Sequence, residues 1–222
     1  AGTVRSSLDF LDSAVRYIAY SGNTTFARVN WSKLTKMIEA VQGAVTATGV
    51  LPLTRDTEDS DSSLQCNIIY YHVLKEFSKI SHLIGDSTYA SSLENRAVTL
   101  KTQLNKEVGY GGLWSSLNGY FVNSSNVSPT DPNPSLWLWH NAEAIHYDAP
   151  DSHTKKLQIL SAIASKLEGK YGFYSTQTLP WSRTIWYMKL YELAKAYASM
   201  EDASKISGIV WSYVNNPYSG LT

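Results

Sequence analysis

Residues 62–86 read SSLQCNIIYYHVLKEFSKISHLIGD, and this stretch decides the fold class. Leu64, Ile68, Tyr71, Leu74, Phe77, Ile80 and Ile84 recur every three or four positions, the repeat that lines one face of an α-helix. Ser62 with Gln65 fits a capping box at its start. Gly85 stands where a glycine closes a helix in the left-handed conformation.

The same period recurs on both sides. Val4, Leu8, Leu11, Val15 and Ile18 make one stripe, and Trp31, Leu34, Ile38, Val41 and Val45 a second. Tyr89, Leu93, Ala97, Leu100 and Leu104 follow the quoted stretch, with Asp86 or Ser87 as cap. Leu138, Ala142 and Ile145 mark a shorter helix. Leu157, Leu160, Ile163 and Leu167 come next, capped by Asp151 or Ser152. Trp186, Leu190, Leu193 and Tyr197 follow, with Pro180 suited to the first turn, and Ile206, Ile209 and Tyr213 complete the set. Strand signals are few: GYFVN at 119–123 reads as a short strand, paired with the glycine-rich segment before it. The chain therefore reads as all-α, about eight helices with little β, in one domain over residues 1–222.

Connection lengths sharpen this reading. The turns YSGNTT, GDST, DAPDS and MED are short, whereas roughly 46–61, 108–135 and 169–179 are long. Short and long in alternation is the rhythm of stacked antiparallel αα-hairpins. An up-and-down arrangement sends the long connections to one end, together with the N-termini of the third, fifth and seventh helices. TRDTEDSD (54–61), GYGGLW, DPNPSLWLWH and YGFYSTQTLPW would then share a rim rich in carboxylates, Trp, Tyr and Asn. Flat aromatic faces meet sugar C–H groups, and Asp, Asn and Arg bind hydroxyls, so such a rim suits carbohydrate. The plainer reading makes Trp137 and Trp139 core anchors and Trp181 a packed loop residue.

Composition excludes other classes. Nineteen basic and nineteen acidic residues balance, which leaves no footprint for nucleic acid or an anionic membrane. No run of about 18 apolar residues offers a membrane span. Cys66 is the single cysteine and reads as core. The sequons at Asn23, Asn30, Asn123 and Asn126 lean toward a secreted glycoprotein.

Among chemistries, calcium fails first. An EF-hand loop from Asp59 would place Leu64 and Tyr70 where Gly and Glu are required. The histidines have no zinc spacing, so no metal and no cofactor is expected. Paired carboxylates for glycoside hydrolysis remain. Asp56, Glu58, Asp59, Asp61, Asp131 and Glu143 are the eligible acids, although most of 56–61 also suits a solvated loop.

The stretches 17–41, 62–105, 111–125 (GGLWSSLNGYFVNSS), 139–150 (WHNAEAIHYDAP) and 181–222 together resemble the six-hairpin glycosidases. The α-L-rhamnosidase-like glycoside hydrolases are the nearest in pattern, and the likeness runs over nearly the whole chain. The resemblance implies an (α/α)6-toroid-like or partial-toroid fold and inverting hydrolysis. It also aligns this chain with the middle hairpins and leaves the family's own acid and base outside it. Arg55 and Asp56, with Trp137, His140 and Asn141, take substrate-pocket roles by that likeness.

Two readings stand. One is a glycoside hydrolase-like protein that binds, and if active alone hydrolyses, a terminal sugar such as rhamnose on plant or fungal glycans. Asp56 or Asp61 would be its acid, Asp131 or Glu143 its base, with Arg55, Trp114, Trp137, His140, Asn141 and Trp181 around the sugar. The other is a lectin-like carbohydrate binder without turnover, or a proteolytic fragment of a glycosidase. A scaffold for protein partners fits the aromatic loops less well. An incomplete toroid would expose apolar flanks, so self-association or a companion chain that completes the ring is expected.

Overall fold

The structure, a computed structural model, describes residues 4–52, 63–169, 172–176 and 187–214. Among these are eight α-helices and two strand pairs of two residues per strand, an all-α hairpin fold. The chain divides into two compact units, residues 1–106 and 107–222. Among the described residues no helix is long and apolar enough to cross a membrane.

Unit 1 holds two helical hairpins, α1 (Val4–Ser21) with α2 (Thr24–Gln42), and α3 (Ser63–Ile84) with α4 (Ser87–Leu104). The α1–α2 turn is made by Gly22 at φ +65° and by Asn23, whose side chain accepts from Phe26 N at 3.0 Å and caps α2. This cap starts α2 seven residues before Trp31, where the apolar stripe begins. Edge-on contact of Tyr17 with Phe26 at 5.0 Å braces the same turn.

The third helix is the spine of unit 1. Every residue from Leu64 to Tyr71 is buried, polar Gln65 and Asn67 included, because α1, α2 and α4 all pack on it. Gln65 accepts from Arg5 at 2.6 Å; Ser62, its expected capping partner, lies outside the described residues. Gly85 ends α3 at φ +93°, with Gly85 N bonded to His82 O and Asp86 N to Ser81 O. Those two bonds form a Schellman motif. Arg28 of α2 reaches the last carbonyls, donating to Ile84 O at 2.9 Å. Asp86 then caps α4 by accepting from Tyr89 N, and also accepts from Trp31 Nε1.

In unit 2 a long connection precedes the first helix. It is ordered by a short antiparallel pair, β1 (Trp114–Ser115) with β2 (Tyr120–Phe121), in the register Trp114 opposite Phe121. The expected strand at 119–123 is thus shorter but pairs with the segment foreseen. Tyr120 donates its hydroxyl to Pro134 O, and Asn118 donates to Asp131 O at 3.0 Å, so the rest of the connection is tied to this pair.

Helices α5 (Leu138–His146), α6 (His153–Leu167), α7 (Tyr187–Ser199) and α8 (Ala203–Val214) complete unit 2. α5 is buried through its first five residues, and it packs on α7 and α6. Ser152 caps α6 by accepting from Lys155 N at 3.3 Å. The buried stripe of α6 is Ile159, Leu160, Ala162, Ile163 and Leu167; Leu157 is half exposed, so its place in the expected stripe shifts by two residues. After α6 the chain forms a second pair, β3 (Glu168–Gly169) with β4 (Gly172–Phe173), which its Gly-rich sequence did not announce.

Candidate functional site

The start of α5 gathers the described candidates. Trp137 occupies the N-cap but makes no side-chain cap. The free donor of the first turn is satisfied instead by the chain after β4, where Ser175 O accepts from Leu138 N at 3.0 Å. Trp137 pairs with Thr176 in an isolated antiparallel bridge beside it. Three rings then pack together. Trp137 stacks on His140 with centroids 5.8 Å apart, and Trp139 stands edge-on to both rings at 4.9 Å. Trp139 and His140 are fully buried, whereas Trp137 is half-buried and is the ring of the three that reaches the surface.

His140 Nδ1 lies 2.8 Å from Asn123 Oδ1, so the protonated nitrogen donates to the amide carbonyl of a residue 17 positions earlier. Asn123 entered the sequence reading only as a sequon. Glu143 follows His140 by one helical turn; it is half-buried, with its Oε2 atom buried. His140 and Glu143 are thus carried by α5, Trp137 by its N-cap, and Asn123 by the connection just after β2.

Other candidates serve the scaffold. Asn141 is fully buried, and its amide accepts from Phe121 N and donates to Phe121 O, each at 3.0 Å. It completes the strand bonding of β2 from a helix, and presents no open group to a sugar. Trp114 is buried edge-on to Phe121 at 5.3 Å, with Lys155 Nζ 4.8 Å above its ring. Asp131 folds its carboxylate back on Asn133 N at 2.9 Å, an Asx turn in the connection. Arg55, Asp56, Glu58, Asp59, Asp61 and Trp181 lie outside the described residues. Among the sequons, Asn126 is exposed. Asn23 caps a helix, Asn30 bonds Phe26 O, and Asn123 holds His140.

Unit 1 contains a polar cluster that sequence reading passed over. Glu39 Oε1 accepts from Tyr89 at 2.7 Å and from Arg96 at 2.8 Å, and Tyr70 donates to Gln42 at 2.7 Å. Burial works against the charge of Glu39, but the bonds from Arg96 and Tyr89 and the adjacent guanidinium charge outweigh it and lower its carboxyl. Burial first, and then Glu39, push the Tyr89 hydroxyl up; burial pushes up Tyr70. Glu39 and Arg96 are 57 positions apart, and no local pattern links them. No group of three or more His, Cys, Asp or Glu side chains in metal-binding proximity occurs among the described residues.

No family model matches this chain, and no curated protein matches it. Its fold is similar to that of a solved rhamnosidase from Klebsiella oxytoca with rhamnose bound, with a TM-score of 0.71 and 13% sequence identity. The match covers 96% of this chain and 38% of that one, so the chain spans less than two-fifths of the rhamnosidase's length. At this identity the likeness is one of fold, and the fold is glycoside hydrolase-like.

Proposed function

We propose that the chain is a glycoside hydrolase-like module that binds a terminal neutral sugar such as rhamnose at the α5 end of unit 2. The observation that carries this reading is the fold likeness, over 96% of the chain, to a rhamnosidase holding rhamnose. The chemistry at α5 supports it. Trp137 offers a ring face to sugar C–H groups, and Asn123 and His140 form a polar pair behind it. Glu143 brings a carboxylate on the same helix. Hydrolysis needs a second carboxyl across the scissile bond, about 5–9.5 Å from the first. Asp131 of the same unit is our candidate for it, although its carboxylate is engaged in a turn, with Trp181 as a sugar contact. The reading extends to a secreted glycoprotein modified at the exposed Asn126.

Calorimetric titration with L-rhamnose, followed by release of nitrophenol from p-nitrophenyl α-L-rhamnoside, tests this. Saturable binding is expected, and Trp137→Ala weakens it roughly tenfold, the effect of about 1.4 kcal/mol of lost ring contact. If turnover accompanies binding, Glu143→Gln lowers kcat by about 10²–10⁴ and leaves binding nearly unchanged. Binding without release makes the module lectin-like. A folded protein that binds no sugar in a monosaccharide panel overturns the proposal.

A further inference from the structure

In unit 1 the C-terminal end of α2, the turn after it and α4 enclose a groove of about 540 Å³. Small-molecule sites usually measure about 300–1,000 Å³. Tyr70 and Leu100 form its buried floor. Gln42, Asn95 and Arg96 supply polar groups on its walls. Gln42 accepts from Tyr70 through Oε1, which leaves its amide N–H groups without a partner among the described residues. Arg96 has five N–H donors, and its hydrogen bond to Glu39 leaves some of them unused among the described residues.

Charge decides the ligand class. Among the described residues, the one cation of the lining is paired with Glu39 at 2.8 Å, and no other ionised side chain lines the groove. Tyr70, the one tyrosine of the described lining, is buried and stays protonated at neutral pH. An anion would find no uncompensated charge here, and a hydrocarbon would strand the amide donors. A neutral molecule with several hydroxyls satisfies donors and acceptors together.

The geometry points to this groove as a second small-molecule site, one that takes a neutral polyhydroxylated ligand of monosaccharide size. It stands on its own lining, in a different unit from the α5 site, so either can fail without the other.

The test is an NMR titration of the ¹⁵N-labelled full chain with L-rhamnose, D-glucose and, as an anionic probe, D-glucuronate. A neutral sugar is expected to shift the side-chain amides of Gln42 and Asn95 and the Arg96 Nε–H saturably, and at lower concentration than glucuronate does. Gln42→Ala weakens that binding about fivefold through the lost amide bonds. Asn95→Trp, at an exposed helical position, fills the groove and abolishes the shifts while thermal unfolding stays as in the parent. Three results overturn the site: no saturable shift with either neutral sugar, shifts that survive Asn95→Trp, or preference for glucuronate. Shifts confined to Asn123, Asn141 and their neighbours overturn it too, while they support the α5 site.

Discussion

The short turns of unit 1 close their first helices on glycine, Gly22 and Gly85, whereas those of unit 2 close theirs on carboxylates, Asp148 and Glu201. All four are left-handed, at φ +65°, +93°, 63° and 60°. The bonding at the last three is the same. Asp148 N reaches Ile145 O and Ala149 N reaches Ala144 O; Glu201 N reaches Ala198 O and Asp202 N reaches Tyr197 O. Each repeats the Schellman pair at Gly85. An L-residue pays about 1–2 kcal/mol for this conformation. At Asp148 an ion pair with Lys156 offsets part of it. Hairpin geometry is therefore imposed by helix packing, and the turn residue sets only the cost.

A second device is common to both units. Asn67, near the start of α3, accepts from Leu51 N at 2.8 Å and donates to Leu51 O at 3.1 Å. Asn141, near the start of α5, does the same for Phe121. In each unit a buried amide on the helix that follows a long connection bonds both the N–H and the C=O of one residue of that connection. The units differ in what the tethered connection carries: in unit 2 a strand pair leading to the rings around Trp137, in unit 1 the segment running into residues 53–62.

The tethers make the most severe test of this parallel. Asn67→Ala and Asn141→Ala each remove two buried hydrogen bonds to the main chain, and each is expected to cost about 3 kcal/mol in urea unfolding. A loss below about 1 kcal/mol at either position breaks the equivalence of the two units.

Turn substitutions come next and run in opposite directions. Gly85→Ala should destabilise by about 1–2 kcal/mol, the penalty of a Cβ in the left-handed region. Nothing lies within 4 Å of a Cβ built there, so the effect would be conformational and not steric. Glu201→Gly should stabilise by up to about 1 kcal/mol, less than the full penalty because glycine also gains freedom in the unfolded chain. Asp148→Gly should gain less, since it forfeits the ion pair. Equal effects at 148 and 201 would show that the Lys156 pair contributes nothing.

The smallest effect is electrostatic and belongs to unit 1. The carboxyl of Glu39 lies below its ordinary 4.5, so its stabilisation is complete above that pH and is lost as pH falls through the folded value. Because Glu39 is about half exposed, the contribution stays under about 1 kcal/mol. Urea midpoints from neutral pH to about pH 3 should fall slightly less for Glu39→Gln than for the parent. No difference would make the Arg96 pair energetically silent.

The helices, the caps at Asp86 and Ser152, the closure at Gly85 and the strand near 120 were legible because each is written in residues a few positions apart. The β3–β4 pair was not, since Glu168–Gly169 and Gly172–Phe173 are half glycine and lack the aromatic and β-branched run that marks GYFVN. Asp148 and Glu201 gave no sign of left-handed backbone, because a carboxylate in a turn reads equally as cap, solvating group or ion-pair partner. At the candidate site, His140 and Trp137 stood out by type. Asn123 was visible only as a sequon, because its bond to His140 spans 17 positions.

By itself the sequence determined the class: apolar side chains at helical spacing must be buried on one face, and hairpins with short turns bury them at least entropic cost. Tertiary structure alone decided which polar residues bind and which brace. Asn141 and Trp114 looked like sugar contacts until packing enclosed them, whereas Gln42, Tyr70 and Arg96 looked ordinary until three helices brought them around one groove. The physical reason is that exposure and partnership depend on chain segments far apart in sequence, and a side chain's type does not record which neighbours will desolvate it.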